Sequence, residues 1–147
     1  MSKRNSGLLL FDIYVAILKI QKHANKFSKP QELLHSYVDW DVVIREFEII
    51  GEATNALIKY SYFDESKRVI VDFRNVLIHE YFGIDCVEVW DIITNYLPSF
   101  KQEIEEKILQ LSHESFHGLL ENIIQENSHI SYIVKNLQNL KEKYIFI

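Results

Sequence analysis

The chain has 147 residues, nearly half of them hydrophobic, which suits one compact domain with a buried core. Four glycines and two prolines are too few turn-formers for an all-β fold, and a net charge of −5 excludes a broad basic nucleic-acid footprint. The single cysteine, Cys86, excludes an internal disulfide framework and points to a reducing compartment.

The start, MSKRNSGLLLFDIYVAILK, places basic residues before a short apolar run, but Asp12 interrupts it and no small-residue cleavage site follows. No run of about 18 uncharged apolar residues occurs, so no membrane span is expected and a cytoplasmic location is. Apolar residues at 10, 13, 14, 17 and 20, widened by Leu9 and Leu18, predict a helix from Leu8 to about Lys26. Pro30 suits the first turn of a short helix, PQELLHSY. Asp39 is expected to N-cap a long helix reaching about Lys59. Val43, Phe47, Ile50 and Thr54 line its buried face, and Gly51 and Ala53 permit close approach of a partner helix. Asp64 is expected to cap a third helix over about 65–80, stopped by Gly83. Asp85 caps a fourth near Cys86, which Pro98 should kink or divide before the pattern resumes through KQEIEEKIL. The expected fold class is all-α: a bundle of residues 1–110, with residues 111–147 adding one or two amphipathic helices.

The stretch FRNVLIHEY, residues 73–81, sets polar groups into an apolar helix. Positions five apart differ by about 140° in direction, so Arg74 and His79 do not share a face well, whereas Asn75 and His79 do. A joint site needs the helix end to unwind near His79, or a second copy of the helix alongside. Together the three side chains suit phosphodiester cleavage without a metal. The imidazole exchanges protons near neutrality, the guanidinium fork stabilises charge building on phosphorus, and the amide binds an oxygen or orients the ring. In RNA the 2′-hydroxyl supplies the nucleophile, so the expected products are a 2′,3′-cyclic phosphate and a 5′-hydroxyl. The same spacing also fits a surface arginine and a histidine favoured by the dipole at a helix end.

A second motif, His113-Glu114-Ser115-Phe116-His117, fits H-E-x-x-H, with Glu121 one turn on. A zinc protease also needs a substrate-aligning sheet edge, and no strand is legible. Gly118 weakens the helix where it must hold the pair. No metal site and no cofactor are expected, beyond adventitious binding on a surface helix.

The segments VIREFEIIGEATNAL and RNVLIHEYFGID, followed by VWDIITNYLPSFKQEIEE, resemble the HepT-type branch of the HEPN superfamily over roughly residues 8–110. The pattern of Arg, four residues, His, any residue, Tyr is that family's motif, met by Arg74, His79 and Tyr81. The resemblance implies an up-and-down helical bundle that forms a homodimer, with two motif helices meeting at a shared cleft. It implies a metal-independent ribonuclease toxin whose partner is a minimal nucleotidyltransferase antitoxin. By the same resemblance Arg74 and His79 are catalytic, Asn75 is supporting, and Tyr81 receives AMP. Arg45 either lines the cleft or joins Glu48 and Glu52 in a dimer salt bridge. The competing expectation is a module that holds a nucleotide or substrate for a partner nucleotidyltransferase and cuts nothing.

Overall fold

Residues Ser6–Ala24 form helix α1, apolar on almost every side. It belongs to a computed structural model that describes residues 5–80 and 83–145. The Asn5 carboxamide oxygen opens α1 by accepting the Gly7 and Leu8 N–H groups at 2.7 and 3.3 Å. Leu10, Phe11, Ile13, Ile17 and Ile20 are fully buried, and Leu9, Tyr14, Ala16 and Leu18 nearly so. Burial on so many sides marks a helix enclosed by others rather than one with a single inward stripe.

The other helices follow in chain order as α2 (Pro30–His35), α3 (Tyr37–Lys59), α4 (Arg68–His79), α5 (Cys86–Asp91), α6 (Leu97–Leu109), α7 (His113–Glu126) and α8 (Ser131–Ile145). Helices α3, α6, α7 and α8 all pack on α1, and α4 packs on α3. The fold is an all-α bundle, with no strand among the described residues. No helix among them is long and apolar enough to cross a membrane. Phe116, Leu120 and Ile123 of α7 and Ile133, Leu137 and Leu140 of α8 enter the same core as α1. The Phe116 and Tyr144 rings stack at 4.0 Å, and the Tyr144 hydroxyl donates to the Leu111 carbonyl at 2.8 Å.

Two local expectations are corrected, at Asp39 and Asp64, and the division expected at Pro98 is found. Asp39 does not cap α3; it lies buried in the first turn, behind Ser36 at the cap position. Its Oδ1 accepts from Lys26 Nζ at 2.8 Å and sits 2.6 Å from His23 Nδ1, while Oδ2 accepts the Ser36 hydroxyl at 2.5 Å. The carboxylate thus ties the end of α1 to the start of α3, across a distance that a local capping rule does not see. Asp64 accepts the Ser66 N–H at 2.9 Å, but what it opens is a 3₁₀ turn, Glu65–Lys67, and α4 begins only at Arg68. Pro98 divides its helix through a π turn, Ile92–Tyr96. It offers no N–H to the Thr94 carbonyl and its ring crowds the preceding turn, so the helix widens there and the Leu97 N–H reaches back to the Ile92 carbonyl.

The Asp39 carboxyl is held well below the usual range, chiefly by the hydrogen bond from Lys26, then by those from Ser36 and His23. A depressed acid stabilises the fold above its unfolded-state value and loses that contribution as pH falls through the folded-state value. Asp39→Asn should therefore lower unfolding stability by about 2 kcal/mol at neutral pH. The gap to wild type should close as pH falls below about 4, the unfolded-state value of an aspartate. Urea unfolding at several pH values measures this; an undiminished gap in acid would contradict it.

Candidate active site

Helices α3 and α4 pack against each other, with Gly51 of α3 directly against Arg74 of α4. A Cβ there would lie 2.2 Å from Arg74 Cβ and 2.6 Å from its Cγ, so glycine is what lets the arginine stem lie on the α3 backbone. Beside this crossing the Phe47 and Phe73 rings meet edge to face at 5.1 Å. One turn further along α3, Asn55 Oδ1 accepts from Arg68 Nη1 at 2.9 Å. With Gly51 beside Arg74 and Asn55 beside Arg68, the antiparallel register carries the C-terminal end of α4 towards Arg45 and Glu48.

Between the two helices lies a groove of about 270 Å³, lined by Gly51, Glu52, Asn55, Arg68, Val71, Arg74 and Asn75. Arg74 is half-buried, and its Nε is buried without a hydrogen-bond partner among the described residues. Its Nη1 donates to Asn75 Oδ1 at 3.1 Å, and no carboxylate among the described residues forms an ion pair with it. Nε is closed off from solvent, so an anion from outside would meet the terminal guanidinium nitrogens, for which no ion pair among the described residues competes.

His79 is the last residue of α4 and is exposed. Among the described residues the helix stays regular up to it, so an earlier unwinding is not what relates it to Arg74. The long Arg74 side chain instead turns to Asn75, which shares the exposed side of α4 with His79. His79 does not line the groove. On the same helix Val76 and Ile78 are 36% and 41% exposed beside His79, and Val69, near the start of α4, is 47% exposed.

Arg45 is exposed and lines a second hollow, about 340 Å³, with Trp40, Asp41, Ile44, Glu48 and Ile84. No ion pair joins Arg45 to Glu48 or Glu52 among the described residues. Tyr81 lies outside the described residues. His113 and His117 sit with ring centres 4.2 Å apart, His117 edge-on to Tyr144, and the described residues hold no group of three ligands arranged for a metal. Sequence reasoning missed Arg68 and Asn55 as groove residues. Their signal is the α3–α4 register, which becomes readable once Gly51 is matched to Arg74.

A family model described as "Ribonuclease HepT-like" matches residues 13–107, a span that includes α3 and α4 and stops before α7. A Methanocaldococcus jannaschii protein named as an inferred RNase is 33% identical over 111 residues, covering 71% of this chain and 98% of that protein. A second from the same organism, also named as an inferred RNase, is 32% identical over 123 residues, covering 81% and 100%. A Thermococcus cleftensis protein named as an inferred ribonuclease HepT is 31% identical over 107 residues, covering 71% and 96%. No solved structure matches.

Gly51→Ala tests the crossing. Alanine gains about 1 kcal/mol of helix propensity, whereas overpacking against the Arg74 stem costs about 1–3 kcal/mol. The variant should be the less stable protein, with a lower urea midpoint. A midpoint raised by the propensity gain would show that α4 does not lie this close.

Proposed function

This chain belongs to the HepT-like ribonuclease family, and on that footing we propose that it is a metal-independent endoribonuclease acting as the toxin of a toxin–antitoxin pair. The observation that carries the reading is the guanidinium of Arg74, half-buried at the groove and without an ion-pair partner among the described residues. An acidic chain that leaves such a charge open has a place for phosphate.

In the proposed reaction the His79 imidazole takes the proton of an RNA 2′-hydroxyl. The freed oxygen attacks the adjacent phosphorus, and the bond from phosphorus to the 5′-oxygen breaks. That proton returns to the departing 5′-oxygen through an imidazole, leaving a 2′,3′-cyclic phosphate and a 5′-hydroxyl. Arg74 stabilises the charge that grows on the non-bridging oxygens, and Asn75 holds its fork. Arg45 adds positive charge near the C-terminal end of α4. The active form is a homodimer, in which the exposed apolar residues of α4 meet a second copy and two sets of Arg74 and His79 share one cleft. A minimal nucleotidyltransferase is the antitoxin. AMP placed on Tyr81, two residues beyond His79, brings an anion that competes for Arg74 and bulk that blocks RNA.

Induced expression of the wild type, Arg74→Ala and His79→Ala tests the reading, with growth, cellular RNA and sedimentation followed for each. The wild type should arrest growth and fragment RNA. Both variants should lose at least about 100-fold in cleavage, the range of a general acid–base, while remaining dimers. A toxic His79→Ala dimer would sink the catalytic assignment. Three inert, soluble dimers would bring forward the non-cutting module that holds a nucleotide or substrate for its nucleotidyltransferase.

A further inference from the structure

Arg68 shares the groove with Arg74 yet stands a turn and a half away on the same helix. Its guanidinium is already oriented. Nε and Nη2 donate to the Glu65 carboxylate at 3.1 and 3.4 Å, and Nη1 donates to Asn55 at 2.9 Å. A guanidinium has five N–H donors, so these three bonds leave two for an acceptor from outside. Glu65 is exposed and its pairing is screened by water, so it fixes the fork without closing it.

We propose that Arg68, held by Asn55, is a second phosphate subsite that takes the phosphate next to the one cleaved. The proposal rests on reading the Arg74 groove as the RNA site and adds what that reading lacks, a direction for the strand. Six residues of α4 span about 9 Å along the axis. The two long side chains make up the difference between this spacing and that of neighbouring phosphates, so one strand lying along the groove between α3 and α4 meets both arginines. Subsites that fix a strand away from the bond being broken contribute positioning.

The test separates this subsite from cleavage. Binding of a 2′-O-methyl oligonucleotide, which has no nucleophile, is followed by fluorescence anisotropy while each linkage in turn is made a neutral methylphosphonate. Wild type should lose about 5–10-fold in affinity at two neighbouring linkages, of the order of one good charge-assisted contact each. Arg68→Gln should become insensitive at one of these linkages and keep its response at the other, and Arg68→Lys should restore part of the lost response. Arg74→Gln should show the opposite pattern. An Arg68→Gln profile identical to wild type overturns the subsite, as does a uniform weakening at every linkage, which marks a structural role. Failure of wild type to bind any oligonucleotide, or tighter binding of free ATP than of the oligonucleotide in competition, also overturns it. If the linkage pattern holds while RNA is never cut, the subsite stands and the ribonuclease reading falls.

Discussion

The approach of α4 to α3 at Gly51 sets the spacing on which the site depends. The aliphatic stem of Arg74 lies where a Cβ would stand, so the helices close on each other through one side chain rather than two. That closeness half-buries the guanidinium, brings Phe47 against Phe73, and leaves a groove narrow enough for Arg68 and Asn55 to meet across it. The rest of the bundle serves as a platform. Helix α1 is enclosed by α3, α6, α7 and α8, so α3 presents its outer side to α4 from a rigid base.

Charge is treated differently in two parts of the molecule. The buried carboxylate of Asp39 is met by Lys26, His23 and Ser36, and Lys67 pairs with Glu103 at 2.6 Å. These are structural charges, satisfied from within. Arg74 has an amide for company and no carboxylate partner among the described residues, although Glu52 lines the same groove. In a chain of net charge −5 this contrast reconciles overall acidity with an anionic substrate. The Arg74 charge stands at a groove, where low-dielectric walls strengthen its field and solvent screens it less.

Much of this was legible in the sequence, because helix periodicity and the motif around Arg74 are local signals. The order of the helices, the short helix opened by Pro30, the break at Pro98 and the small residue at Gly51 all follow from spacing and backbone chemistry. Asp39 was misread because an aspartate near a helix start looks like a cap, and its real partners lie 13 and 16 residues earlier on another element. Arg68 and Asn55 were missed for the same reason, since only the α3–α4 register brings them together. The relation of Arg74 to His79 was half legible. The 140° between them follows from helix geometry, but the turn of the long side chain to Asn75 does not.

In the proposed reaction Arg74 and His79 cut RNA through its own 2′-hydroxyl with no metal. This is tested most directly by mass spectrometry of the ends produced from a short RNA, cleaved by purified protein in excess EDTA. The expected result is undiminished cleavage, 2′,3′-cyclic phosphate and 5′-hydroxyl ends, and no product when the scissile nucleotide carries 2′-deoxyribose. Cleavage abolished by EDTA, 5′-phosphate ends, or cutting at the deoxy position would contradict it.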